Sequence, residues 1–165
     1  MSLAGQRVDP KRYTVVPRTL VFLTRPGQIL LQKVPPGRGA WAGLYNGLGG
    51  HLEPGEDPLS GARREVQEEA GLAVETLRLR GVVIVDTGEA PGIGLYVFSG
   101  EVGAEPARSG PEGDLEWLRI GDLAHTPLVE DLPLLLPRIL QPNDDRPFCG
   151  VYTYEAGSLR VRFAE

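Results

Sequence analysis

An α+β sandwich, a mixed β-sheet held between helices, is the fold class that this 165-residue sequence predicts. Stretches rich in Val, Ile, Leu, Thr and Phe occur both before and after one strongly marked helix, which is the pattern of a sheet covered by helices. That helix has unambiguous start and stop signals. Gly and Pro, 22 and 15 residues, are scattered without a period, the mark of a loop-rich domain rather than of low-complexity sequence. With 41% hydrophobic and 24% charged residues, one domain over residues 1–165 is expected. A domain of this size buries roughly two thirds of the surface its unfolded chain exposes, so it needs no covalent staple.

Residues Tyr13 to Thr24 read as a strand, Pro26-Gly27 as a turn and Gln28 to Val34 as the returning strand. A loop, Pro35 to Gly39, leads to a short extended stretch from Trp41 to Leu48 that ends in Gly49-Gly50. Asp57 is a good N-cap and Pro58 fits the first helical position, so a helix is predicted from Pro58 to Ala70, stopped by Gly71. Leu77 to Asp86 and Gly94 to Val102 read as two strands joined by the turn loop Thr87 to Ile93. Gly103 to Gly113 is a polar loop, and Leu115 to Ile120 a strand or turn that packs Trp117. Glu130 to Leu140 reads as a second helix with Pro133 in its first turn; Pro137 weakens it or ends it early. Phe148 to Tyr154 and Leu159 to Phe163 flank Glu155 to Ser158 as a C-terminal hairpin, about 147–163.

Composition removes several function classes. Cys149 is the only cysteine, which excludes an intramolecular disulfide and any metal site built on several thiolates. The N-terminus has no apolar core of signal-peptide length, and the longest apolar runs are far too short to span a bilayer, so no membrane partner and a cytoplasmic location are expected. A net charge of −5 gives no general attraction to duplex nucleic acid. The expected assembly is a monomer or homodimer.

Most of that charge lies in one segment. Between Gly50 and Leu72, Glu53, Glu56, Asp57, Glu65, Glu68 and Glu69 stand against Arg63 and Arg64. At about 100° per residue, Glu68 and Glu69 fall at about −60° and +40° from Glu65, so these carboxylates share one arc of the predicted helix. Leu59, Ala62, Val66 and Ala70 form the neighbouring apolar stripe. Like charges at this spacing destabilise a bare helix. A solvated acidic face and a divalent-cation site are both open readings on helix geometry alone. Carboxylate oxygens suit Mg²⁺, with Mn²⁺ a possible substitute, and the Gly50 carbonyl is a candidate additional ligand.

The full spacing favours the second reading. Gly50, five residues, Glu56, seven residues and then Arg64-Glu65-Val66-Gln67-Glu68-Glu69-Ala70-Gly71-Leu72 resembles the Nudix box, G-x5-E-x7-R-E-U-x-E-E-x-G-U, at every specified position. At ordinary residue frequencies such a match arises at a given start point roughly once in a billion. The resemblance implies a Nudix fold, an α/β/α sandwich, and a Mg²⁺-dependent hydrolase of a nucleoside diphosphate linked to another group X. It implies that Glu68 and Glu69 are metal ligands, that Glu65 is a ligand or general base, that Gly50 offers its carbonyl, and that Arg64 and Glu56 form a supporting ion pair.

Outside the box, Trp41 to Gly50 resembles the W-N-G-x-G-G lead-in of MutT-like triphosphate pyrophosphohydrolases, with Tyr45 in place of the usual Trp. Asn46 would then read a purine edge, as an amide that both donates and accepts, or support a turn. Tyr45, Trp41 and Phe22 would stack a base or fill the core. Glu112 resembles the extra carboxylate that some MutT-like enzymes place near the metal. Glu130 and Asp131 stand where similar nucleotidases place base-reading acids. His51 would contact a phosphate or cap the loop, and His125 lies on the surface. The expected substrate is a (deoxy)nucleoside triphosphate, 8-oxo-dGTP being one candidate, cleaved to the monophosphate and pyrophosphate. The alternatives are an ADP-ribose or nucleotide-sugar pyrophosphatase and a non-catalytic nucleotide-binding module.

Overall fold

In β1 (Val15–Arg25) successive side chains enter two different cores, as period-two geometry requires of a strand covered on both faces. Leu20 and Phe22 join one cluster with Leu132, Leu135, Leu136 and Ile139. Val21 and Leu23 join the other with Ala62, Val66 and Ala70. The computed structural model in which this is seen describes residues 9, 11–141 and 146–164. The same division recurs in β2 (Gln28–Lys33), where Ile29 and Leu31 face one way and Leu30 the other.

The remaining strands are β3 (Tyr45–Asn46), β4 (Arg78–Asp86), β5 (Gly92–Glu101), β6 (Asp114–Arg119), β7 (Phe148–Glu155) and β8 (Ser158–Phe163). They form one mixed sheet in the order β3-β2-β1-β5-β4-β7-β8, with β6 paired to β2. β1 with β5 and β4 with β7 are parallel; the other pairs are antiparallel. One edge of β1 is shared: β2 pairs with its end, and the glycine-rich segment after β3 pairs with its start through Val21–Leu48 and Arg18–His51. That arrangement sets the acidic segment against the central strand.

Helix α1 (Pro58–Ala70) has the predicted bounds. The Asp57 carboxylate accepts from the Leu59 and Ser60 N–H groups, Pro58 opens the helix, and Gly71 closes it in the left-handed conformation. Two predicted elements are adjusted. The stretch from Trp41 to Leu48 is a tight 3₁₀ turn, Gly39–Trp41, followed by the two-residue β3, because Gly39 and Gly43 take positive φ and fold the backbone back onto Val34. Helix α2 (Leu132–Ile139) begins at Leu132, not Glu130: Glu130 and Asp131 form the turn before it. Pro137 lies within the last turn and the helix ends two residues later, where Arg80 donates to the Arg138 and Gln141 carbonyls. No helix among the described residues is long and apolar enough to cross a membrane.

Leu135 is fully buried and Leu134, beside it in α2, is 53% exposed. Leu135→Ala should therefore cost about 2–5 kcal/mol through lost transfer energy and a residual cavity. Leu134→Ala should stay within about 0.5 kcal/mol. Urea midpoints at unchanged slope measure both.

Candidate active site

The acids of α1 are organised by one guanidinium. Arg64 donates to both oxygens of Glu56 at 2.9 and 3.0 Å, to Glu65 Oε1 at 2.9 Å, to Glu68 Oε2 at 3.1 Å and to the His51 carbonyl at 3.0 Å. These bonds join the loop before the helix to the helix itself. The Arg64 bond and the Glu53 N–H hold the Glu56 carboxyl below the usual glutamate range. Gly61 makes the close approach possible: a Cβ there would meet Leu52 Cδ2 at 2.3 Å and Glu56 Oε2 at 3.0 Å.

Glu69 is on the inner side of the helix and only 5% exposed. Its Oε2 accepts the Gly49 N–H at 2.8 Å. Burial pushes its carboxyl up to about 8 against the help of that N–H, and a hydrogen bond with Glu112 adds to the shift. Burial also raises Glu65, which Arg64 partly offsets. The Glu65 carboxylate lies against the Gly50 Cα, where a Cβ would stand 2.5 Å from Oε1. The Gly50 carbonyl accepts the Thr19 N–H at 2.8 Å, which occupies one of its lone pairs. Gly49, at φ +131° and packed on the Thr19 carbonyl, has no room for a side chain.

Glu65, Glu69 and Glu112 therefore interact around Gly49-Gly50, with Glu56, Arg64 and Glu68 along the rim. Among the described residues no three His, Cys, Asp or Glu groups stand in a ready-made metal cage. Arg64 engages Glu65 and Glu68 oxygens, and the Gly49 N–H engages a Glu69 oxygen. The donor set is all hard oxygen, and two of its carboxyls are costly to ionise where they lie. Both features fit a cation such as Mg²⁺.

A second group forms around β3. The Tyr45 N–H donates to the Pro127 carbonyl and the Val129 N–H to the Tyr45 carbonyl, which brings Glu130 and Asp131 beside β3. Asn46 Oδ1 accepts the Gly47 N–H at 2.8 Å, so one end of the amide supports the turn. Tyr45 is buried in the core of the α2 face; burial and a hydrogen bond with Glu116 raise its hydroxyl to about 12. Phe22 is fully buried in the same core, while Trp41 is exposed on the 3₁₀ turn. His125 ends a second 3₁₀ segment, Ile120–His125, and is exposed. Burial raises Asp131 to about 6, with Glu130 adding to the shift.

Four residues join the site that the sequence reading left aside. Tyr154 donates its hydroxyl to Glu130 Oε1 at 2.8 Å. The buried Tyr152 hydroxyl lies close to Asp131 but meets no partner in hydrogen-bond geometry. Gln32, 8% exposed, pairs across the ladder with Asn46 and has an unpartnered Nε2. Arg18 Nε donates to His51 Nε2 at 3.0 Å. Each depends on strand register between residues distant in sequence, so no local signal marked it.

The chain belongs to the NUDIX domain family, which matches residues 14–139, and with its box complete it is a Nudix pyrophosphohydrolase. It is 33% identical over 145 residues to the oxidized purine nucleoside triphosphate hydrolase of Danio rerio, covering 87% of this chain and 89% of that protein. The Mus musculus protein of the same name is 32% identical over 139 residues, covering 83% and 85%. The crystal structure of a MutT protein from Bacillus halodurans superposes with a TM-score of 0.76 at 25% identity, over 90% of this chain and 97% of that one.

The Asp131 shift has a testable sign. Its folded-state value, about 6, lies above the ordinary aspartate value of 3.8. Its contribution to stability is therefore full below pH 3.8 and is lost as the pH rises to about 6. The stability of the wild type relative to Asp131→Asn should fall across that window and then level off, as followed by urea titrations at stepped pH.

Proposed function

We propose that the protein is a Mg²⁺-dependent hydrolase of purine nucleoside triphosphates, oxidised purines included, releasing the monophosphate and pyrophosphate. The observation that carries the reading is the gathering of Glu65, Glu69 and Glu112 around Gly49-Gly50 under the control of Arg64. The likeness to purine triphosphate hydrolases over most of the chain supports the substrate class.

Glu68, Glu69, Glu112 and the Gly50 carbonyl would hold the metal. A bound Mg²⁺ would neutralise charge on the phosphate oxygens and acidify a coordinated water. The chain's own residues do the rest. Arg64 keeps Glu65 and Glu68 in position. Glu65 has Oε1 tied to Arg64, and Oε2 takes a proton from the attacking water. The water oxygen bonds to one phosphorus of the chain as the bridging P–O bond breaks, and the electron pair leaves on the bridging oxygen.

The base rests on the α2 face. There Val16, Ile93, Val85 and Tyr152 form a cross-strand row whose first three members are half-buried. Asp131 stands by Tyr152 at the end of that row and Glu130 is held beside it by Tyr154; Asn46, next to Tyr45 on β3, is the amide proposed to read the base edge.

Two experiments test this. A panel of purine and pyrimidine triphosphates and ADP-ribose, assayed for pyrophosphate and monophosphate, should show pyrophosphate from purine triphosphates as the fastest reaction. Excess chelator should abolish it, and Mg²⁺ should raise thermal stability by mass action. Faster turnover of ADP-ribose than of every triphosphate would overturn the substrate assignment. Separately, Glu69→Gln should lower kcat at least about a hundredfold with the fold intact. Glu75→Gln, outside the box, should leave kcat within about twofold; equal losses would remove the specific role of Glu69.

A further inference from the structure

We propose that Arg18, held by His51, binds the phosphate chain of the substrate where it passes from the base-bearing α2 face to the carboxylates at Gly49-Gly50. The inference deepens the proposed function and rests on its placement of base and metal on different parts of the sheet. Arg18 has the strand parity of Leu20 and Phe22, so its side chain belongs to the α2 face. Cross-strand register aligns it with Leu95 and Val83, one row from Val16, Ile93, Val85 and Tyr152. Its partner on the other edge is His51, the residue after Gly50. The flanking bonds, Thr19 N–H to the Gly50 carbonyl and Leu52 N–H to the Pro17 carbonyl, make Arg18 and His51 a non-hydrogen-bonded pair, the kind whose side chains stand closest.

The contact between them has a direction. Arg18 Nε donates to His51 Nε2 at 3.0 Å, so the imidazole proton is on Nδ1. The pair therefore presents the outer guanidinium N–H groups and one ring N–H beside Gly50, with no acceptor of its own to repel a phosphate. Around it stand acidic side chains: Glu65, Glu68, Glu69 and Glu112 on one side, Glu130 and Asp131 on the other. Arg64, the other cation at this edge, spends its donors on Glu56, Glu65, Glu68 and the His51 carbonyl. A polyanion crossing here meets Arg18 as the cation with donors to give, and a guanidinium matches phosphate oxygens in pairs.

The test is kinetic and by binding. Arg18→Ala should raise KM about tenfold or more for every triphosphate, by a similar factor whatever the base, with kcat changed less than about threefold. The dependence of KM on ionic strength should weaken. Arg18→Lys should recover part of the loss. His51→Gln, which keeps an acceptor for Arg18, should stay closer to wild type than His51→Ala. Calorimetric titration with an imido-bridged, non-hydrolysable triphosphate in Mg²⁺ should show the same loss of affinity in Arg18→Ala. An unchanged KM and affinity, or a loss confined to one base, would overturn the assignment. If the wild type prefers ADP-ribose, the triphosphate reading fails while this one is still tested: a diphosphate crosses the same edge, and Arg18→Ala must raise its KM likewise.

Discussion

Arg64 and the acids around it constrain the active region more than any other group. Six acidic residues within one loop and helix would repel one another, and two of the box carboxylates are buried enough to resist ionisation. A lysine could offset the charge but would not fix the geometry. The planar guanidinium engages Glu56 through two bonds, reaches Glu65 and Glu68 with a third nitrogen, and ties the loop through the His51 carbonyl. The Glu56 fork anchors the loop, and the loop delivers Gly49 and Gly50 to Glu69 and Glu65. The glycines follow from that arrangement: at Gly61 and Gly50 a single methyl would occupy the space that the loop or a carboxylate needs.

The sheet divides the work by strand parity. Side chains on the α1 side carry the carboxylates, and side chains on the α2 side carry the apolar floor and the acids beside it. The shared edge of β1 joins the two sides, because β2 gives way there to the glycine-rich segment. The C-terminal hairpin contributes as well. It lies beyond the residues matched by the family, 14–139, yet β7 brings Tyr152 and Tyr154 to Asp131 and Glu130. A hairpin that looks like a sheet extension thus fixes one acid and encloses the other.

Local signals made much of this readable. The cap at Asp57, the stop at Gly71 and the apolar stripe of α1 are written within a few residues of one another, and each formed as the sequence predicts. The resemblance expects Glu112 near the metal; in the structure it interacts with Glu69 and Glu65. What local patterns could not carry is register. Arg18 meets His51 across 33 positions and Tyr154 meets Glu130 across 24, and a shift of one residue in either strand would turn the partners to opposite faces. The environment of Tyr45 was also hidden. Its aromatic ring reads equally as a stacking surface or as core, and only the pairing of β3 with β2 and with residues 127–129 buries it. The start of α2 moved for a similar reason: the bond from the Val129 N–H to the Tyr45 carbonyl anchors the chain before Glu130, leaving a turn before the helix.

Several groups that oppose folding stand where the chemistry is proposed. Burial shifts Glu69 and Asp131, on opposite faces of the sheet, each toward the protonated form. Gln32 Nε2 and the Tyr152 hydroxyl are buried without a hydrogen-bond partner, one beside Asn46 and the other beside Asp131. A fold optimised for stability alone would replace such groups with apolar ones, since an unsatisfied buried polar group costs about 1–3 kcal/mol. Their position on both sides of one edge, with Arg18 at that edge, fits the proposed nucleotide site, where a ligand would meet their polar demands. A nucleotide with its metal would bring positive charge to Glu69, hydrogen-bonding edges to Asp131 and phosphate oxygens to Arg18. Binding would then relieve burial costs already present in the free protein, which ties stability and recognition to the same residues.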